Sequence, residues 1–306
     1  MKSLDGSKLA RNCAIRYCKP PSNGHAIHEE RSRNMSQQGA DRTLNESGSY
    51  PDLAVITGAG RGIGKAIALE AAKKSFVLCI SRTETALDTA EIIKAAGDKA
   101  TGLVLDLEDY RTAEARVGEW ISNSSFKRIA AVFAAGIVGP QGSLMDTNLG
   151  EWDRAFKVNV LGNLAVARGL VPRQKQNRFG RLLFFAGGGA AYAYPMFPAY
   201  AATKTALVRI VENLHEDLKG EGDFATAIVA PGAVETDLLA SVRASGAEVR
   251  TTVDISEPTV FSREFILSET CAFSGCFVHV RDSWPEWLNG NRVLPGKDLW
   301  KLRRVE

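Results

Sequence analysis

Apolar residues in this chain fall into short unbroken runs, and between the runs they recur at the three- and four-residue intervals of a helix. The runs Leu53–Thr57, Phe76–Ile80, Thr101–Asp106, Ile129–Ala134, Arg181–Phe185, Ala225–Ala230 and Gly275–Val280 predict strands. A strand that is apolar throughout, rather than at alternate positions, belongs to a sheet covered on both faces. The periodic stretches predict helices over Gly62–Lys73, Ala86–Ala96, Tyr110–Trp120, Glu151–Val171 and Ala199–Leu218. The fourth is introduced by Asn148 with Glu151 three residues on, a capping-box arrangement. Strands and helices in strict alternation predict an α/β protein with a doubly wound parallel sheet, formed as one domain over residues 51–306.

Residues 1–50 break the pattern. Rich in Ser, Asn, Gly, Arg and Glu, they offer too little apolar surface to offset the entropy of ordering, and a disordered leader is expected. Its arginines raise a mitochondrial presequence as an alternative, but Asp5, Glu29, Glu30 and Asp41 disfavour it, and Met35 is an alternative start. The net charge of +3 is spread along the chain, which argues against a nucleic-acid partner. No stretch reaches the roughly 20 apolar residues a bilayer span needs. Five cysteines make no disulfide framework, so a reducing compartment, the cytoplasm, is expected. Cys13/Cys18 and Cys271/Cys276 share a spacing looser than a zinc knuckle and lack a histidine pair, so packing roles and no metal are expected.

The first strand runs into Thr57-Gly58-Ala59-Gly60-Arg61-Gly62-Ile63-Gly64 and then a helix. Glycines let the backbone approach a pyrophosphate, whose charge meets the unpaired amides of the helix N-terminus. A strand before and a helix after favour dinucleotide binding over an ordinary turn. The second strand ends in Ser81-Arg82 rather than in an acid that would bond a ribose 2′-hydroxyl. Arg82 and Arg61 could pair with a 2′-phosphate, so NADP(H) is preferred, with NAD(H) as the alternative.

Tyr200 and Lys204 lie four apart in Ala199-Tyr200-Ala201-Ala202-Thr203-Lys204, which stacks them on one face of a helix. An ammonium beside a phenol, joined by the positive ring of a bound nicotinamide, favours the phenolate and draws its pKa down from about 10 toward working pH. Such a phenol could exchange a proton with a substrate oxygen.

The spacing Gly58, Gly62, Gly64 with this Tyr-Lys pair resembles the short-chain dehydrogenase/reductase family, over nearly all of residues 52–281. The resemblance implies a Rossmann fold and interconversion of a ketone and a secondary alcohol, with Tyr200 as acid/base and Lys204 as tuner and ribose anchor. Asn159 would bend the long fourth helix and hold a water linking to Lys204. The resemblance assigns Asp106, with Leu107, to the adenine side, and Phe133-Ala134-Ala135-Gly136 to the family's N-N-A-G, with Ala135 and Gly136 against the cofactor. It matches Pro231-Gly232-Ala233-Val234-Glu235-Thr236 to P-G-x-V-x-T, so that Pro231, Gly232, Val234 and Thr236 lie against the nicotinamide. Residues Asp237–Glu257 have the length of a substrate lid. A homodimer or homotetramer is implied, and a small carbonyl or alcohol is the expected partner.

One position departs from the family. Thirteen residues before Tyr200, where a serine hydroxyl is expected, stands Gly187 within Ala186-Gly187-Gly188-Gly189. The glycine amides, Tyr192 or Tyr194 could supply the missing donor, and a catalytically weakened dinucleotide-binding scaffold or redox sensor is the alternative function. The tail from Asp282 onward, with Trp284, Trp287 and Trp300, is expected to cover the site or a subunit contact.

Overall fold

A computed structural model describes residues 50–246, 249, 251–288 and 301–302. The expected leader, the Cys13/Cys18 pair and most of the tail, Trp300 included, lie outside these residues.

Seven parallel strands form one sheet in the order β3-β2-β1-β4-β5-β6-β7. They are β1 (Leu53–Thr57), β2 (Phe76–Ser81), β3 (Ala100–Val104), β4 (Ile129–Phe133), β5 (Phe179–Phe185), β6 (Asp223–Ala230) and β7 (Cys276–His279). All seven fall where the apolar runs predicted them, within two residues at most ends. Strand alternation sends Leu53 and Val55 into one core layer and Ala54 and Ile56 into the other, so the unbroken apolar run reflects a strand with no solvent face.

The helices over the sheet are α1 (Gly62–Ala71), α2 (Thr85–Ala95), α3 (Tyr110–Ser122), α4 (Leu149–Phe156), α5 (Asn163–Gln176), α6 (Pro198–Leu218), α7 (Asp237–Ala244), α8 (Ser256–Leu267) and the short α9 (Pro285–Leu288). Three expectations are corrected. The third strand stops at Val104, because the Asp106 carboxylate accepts the Glu108 amide at 3.0 Å and turns the chain out of the sheet. The fourth helix begins at Leu149, under a cap in which Asn148 accepts the amides of Gly150 and Glu151, and is not uniform: a π-helical turn at Lys157–Gly162 separates α4 from α5. Trp284 and Trp287 cover no site. They are buried in the core layer that holds Phe261, Phe265 and Phe273, and the Trp284 ring meets Phe261 edge-on at 4.9 Å.

Arg181 in β5 has no solvent exposure. Its guanidinium bonds the Asp223 carboxylate at 2.8 Å, the Asp223 carbonyl at 2.9 Å and the Ser268 carbonyl at 2.9 and 3.1 Å. It also lies 4.6 Å from the Phe179 ring centroid. A buried charge is tolerated only with such satisfaction, and here it ties β5, β6 and the segment after α8 together.

The topology reverses between β1 and β4. A crevice opens there at the carboxyl ends of the strands, the usual place for a ligand in an open α/β sheet.

Candidate active site

Every predicted site segment emerges at that carboxyl edge: the glycine turn from β1, Ser81-Arg82 from β2, Ala135-Gly136 from β4, Gly187 from β5 and Pro231–Thr236 from β6. In the turn, Gly58 (φ +70°) and Gly62 (φ +53°) adopt the left-handed backbone that glycine favours. Two further glycines are required by close approach. A Cβ on Gly60 would lie 2.0 Å from Thr85 Oγ1, and one on Gly64 would lie 2.3 Å from the Gly58 carbonyl oxygen. The N-terminus of α1, where Ile63 stands in the first turn, carries no side-chain cap, so its amides are available to an anion. This cradle suits the pyrophosphate of a dinucleotide.

Around the cradle the predicted contacts are only partly assembled. Arg82 is exposed beyond β2, as the phosphate reading requires. Arg61 reaches instead across to α7 and pairs with Asp237 at 2.8 Å, both side chains being more than 70% exposed (76% and 73%). Asp106 is exposed, while Leu107 is buried and packs under Gly162, whose Cβ would come within 2.4 Å of the Leu107 carbonyl oxygen. Beside Arg82 the structure adds a hydroxyl cluster that sequence reasoning missed. Ser81 Oγ lies 3.1 Å from Thr85 Oγ1, and Thr83 Oγ1 lies 3.0 Å from the same atom. The run Ser-Arg-Thr-Glu-Thr was its signal.

Thr57 and Asn163 join β1 to β4. The Thr57 hydroxyl accepts the Ala135 amide at 3.1 Å and donates to Asn163 Oδ1 at 2.9 Å. Asn163 Nδ2 in turn donates to the carbonyls of Ala135 and Asn159, each at 3.0 Å. The asparagines missing from the β4 segment are thus replaced by one reaching in from α5. Asn163 was not singled out in the sequence, although it lies one helical turn beyond Asn159.

Asn159 sits in the π turn with no solvent exposure. Its side chain accepts the Ile137 amide at 2.7 Å and donates to the Ile137 carbonyl at 2.9 Å and to Thr203 Oγ1 at 3.1 Å. It holds the strand end that carries Gly136 against α6. A Cβ on Gly136 would lie 3.2 Å from Asn159 Oδ1 and 3.5 Å from Lys204 Nζ, so Asn159 and Lys204 converge at that strand end.

Tyr200 and Lys204 occupy adjacent turns of α6, which Pro198 opens. Lys204 is buried, and its Nζ donates to the Phe185 carbonyl at 2.8 Å while lying 5.5 Å from the Tyr200 ring centroid. Burial draws the Lys204 ammonium down to about 8. In the protein alone burial dominates, with the nearby Tyr194 phenol adding to it, and pushes the Tyr200 phenol up to about 12. Tyr200 is therefore a protonated acid at neutral pH. A Cβ on Gly187 would lie 2.7 Å from the Tyr200 hydroxyl oxygen, so the phenol rests on the glycine where the family carries its serine.

The Pro231–Thr236 segment closes the far side. Gly232 is left-handed (φ +74°), Val234 bridges to Val253, and Thr236 caps α7 by accepting the Leu239 amide at 3.4 Å. The Thr236 methyl would be 3.2 Å from a Cβ on Gly62, which brings this segment onto the glycine turn. Leu239 and Val242 of α7 form a small apolar cluster with Phe197, Val138, Tyr194 and Tyr200. No helix of the described residues is long and apolar enough to cross a membrane, and among them no group of three or more His, Cys, Asp and Glu could hold a metal ion.

A doubly wound sheet with a glycine-cradled helix N-terminus and a Tyr-Lys pair at its carboxyl edge defines a dinucleotide-dependent α/β protein. Residues 52–246 match the short chain dehydrogenase family. The chain belongs to the short-chain dehydrogenase/reductase family, whose members are oxidoreductases. It is 29% identical over 199 residues to an NADPH-dependent aldehyde reductase-like chloroplastic protein of Arabidopsis thaliana, covering 61% of this chain and 73% of that one. It is 32% identical over 194 residues to versicolorin reductase 1 of Aspergillus parasiticus, covering 62% and 72%. Among solved structures, a protein assigned as an NAD(P)-dependent gluconate 5-dehydrogenase from Beutenbergia cavernae, with NADP bound, superposes with a TM-score of 0.70 at 25% identity, covering 77% of this chain and 97% of that one. A 3-ketoacyl-ACP reductase from Sinorhizobium meliloti gives 0.64 at 28% identity, covering 74% and 96%.

Proposed function

We propose that this protein is an NADP(H)-dependent reductase or dehydrogenase that interconverts a ketone and a secondary alcohol. One observation carries the reading: the half-buried Tyr200 phenol and the buried Lys204 ammonium share one face of α6 beside the strand end at Gly136, at the same sheet edge as the glycine cradle. NADP(H) is preferred over NAD(H) because β2 ends without an acid and is followed by exposed Arg82 within the Ser81, Thr83 and Thr85 hydroxyls, which suit a 2′-phosphate. The bound dinucleotide supplies the hydride equivalent. The glycine turn, Thr236, Gly136 and Lys204 would hold it, and Tyr200 donates its proton to the substrate oxygen as that oxygen gains charge. A phenol held protonated has the proton to give in the reductive direction. The Phe197, Leu239 and Val242 cluster beside Tyr200 suits a substrate with an apolar body. Cys79 and Cys271 are free thiols, which supports a reducing compartment such as the cytoplasm.

A second reading, a dinucleotide-binding scaffold with little turnover, is favoured by the absent serine at Gly187. The two separate on purified protein with NADPH and a panel of ketones. Loss of NADPH absorbance that Tyr200→Phe removes supports the reductase. Tight NADPH binding without oxidation across the panel supports the scaffold.

A further inference from the structure

We infer that Tyr194 supplies the second hydrogen bond to the substrate oxygen, in the role the family gives to a serine hydroxyl; the inference rests on the reductase reading above.

The β5 strand end offers no side-chain donor. Ala186 and Gly187 carry no hydroxyl, and the Tyr200 hydroxyl already occupies the space a Gly187 side chain would need. A carbonyl oxygen brought to Tyr200 finds no side-chain donor at that strand end, and the nearest phenols in the chain lie in the segment after the triplet. The segment after the glycine triplet provides two phenols with opposite fates. Tyr192 is 74% exposed and belongs to no cluster. Tyr194 is half-buried and packs in the small apolar cluster that contains Tyr200.

Its ring packs on Phe197 and its backbone is tied to the same residue. The Phe197 ring lies 5.0 Å away at a tilt of 39°, and the Tyr194 carbonyl accepts the Phe197 amide at 2.9 Å, so Tyr194 is tied to the residue that opens α6, the helix of Tyr200. A Cβ on Gly189 would strike Ala201 at 2.8 Å and would meet the Tyr194 Cβ at 3.5 Å, while nothing lies within 4 Å of one on Gly188. Among the described residues no partner takes the Tyr194 hydroxyl, and the two phenols are close enough for charge on Tyr194 to oppose charge on Tyr200. Burial raises the Tyr194 pKa, so it keeps its proton and can donate a hydrogen bond without transferring it. The space over Gly187 is thus taken by Tyr200 itself, and Tyr194 is the half-buried phenol left beside it.

The test uses the full chain. With NADPH and 9,10-phenanthrenequinone, Tyr194→Phe is expected to lower kcat by about 10²–10³-fold, the usual effect of removing one such donor. Tyr192→Phe should leave kcat unchanged. Because phenylalanine keeps the ring against Phe197, the thermal shift induced by NADPH should be the same in both variants. A Tyr194→Phe enzyme with wild-type kcat would overturn the inference while leaving the reductase reading intact. If no carbonyl is turned over, that reading falls on its own, and a binding measurement decides the role of Tyr194. The unreactive carbonyl of N-cyclohexylformamide, titrated calorimetrically into protein with NADPH, should bind roughly tenfold more weakly to Tyr194→Phe than to wild type. Equal affinity, or no detectable binding to wild type, counts against it.

Discussion

Gly64→Ala sets two effects of opposite sign against each other. The residue lies in α1, where alanine is preferred to glycine by about 1 kcal/mol in a helix interior. On propensity alone the substitution would stabilise the protein. The added methyl, however, would sit 2.3 Å from the Gly58 carbonyl oxygen and 2.7 Å from its carbon, and both are backbone atoms that no rotamer change can move. Overpacking of this kind costs about 1–3 kcal/mol, and an unyielding contact belongs at the upper end. The net effect is a loss of about 1–2 kcal/mol, or roughly 2–8 °C in Tm for a domain of this size. Relief can come only by spreading the turn, which also withdraws the α1 amides from the pyrophosphate. Differential scanning fluorimetry with and without NADPH reads both consequences: a lower Tm alone, and a smaller rise on adding cofactor. Gly188→Ala, where nothing lies within 4 Å of the new methyl, is the control and should leave both readings unchanged. A Gly64→Ala protein as stable as wild type with an undiminished NADPH shift would refute the close-packed turn.

Three further outcomes follow from the geometry. Asn163→Ala leaves the Thr57 hydroxyl and the Ala135 and Asn159 carbonyls without that partner in a buried setting, and should cost about 2–4 kcal/mol in urea denaturation. A cost under about 0.5 kcal/mol would contradict the network. Lys204 has a folded pKa of about 8 against an ordinary 10.5, so the unfolded chain binds the extra proton between those values and the lysine's contribution to stability rises with pH across that window. The stability difference between wild type and Lys204→Met should therefore grow more favourable to wild type from pH 8 to 10, and a flat difference would show that Lys204 is not desolvated. The Arg61–Asp237 pair is exposed and worth well under about 1 kcal/mol, so Asp237→Asn should leave Tm unchanged but, by releasing Arg61, tighten NADPH binding at low salt. Unchanged affinity at every salt concentration would place Arg61 outside the phosphate site.

The sheet was legible because each strand is buried on both faces and writes an unbroken apolar run, as in Val77–Ile80. Tyr200 and Lys204 were legible because a helix converts a spacing of four into adjacency. What the sequence concealed depends on contacts between distant segments. The bend expected at Asn159 takes the form of a π turn where Gly162 passes close to Leu107, a contact between distant segments that Lys157–Gly162 alone does not show. The burial of Trp284 and Trp287 depends on Phe261 and Phe273 being brought to the same layer. The raised pKa of Tyr200 follows from desolvation, a property of the folded interior that a Tyr-Lys spacing does not encode.

The tie made by Arg181 bears on how the chain must be assembled. Its donors are met by Asp223 and by carbonyls at Ser268 and Glu269, positions synthesised long after β5 itself. While the ribosome is still making α8, Asp223 and the Gly180 carbonyl are already available to this cation, but the Ser268 and Glu269 carbonyls that complete its shell do not yet exist. The turn of the chain after α8 thus finishes the satisfaction of a charge buried in the central sheet, and a fragment ending before Ser268 should be less stable than the full chain by more than its lost apolar contacts alone.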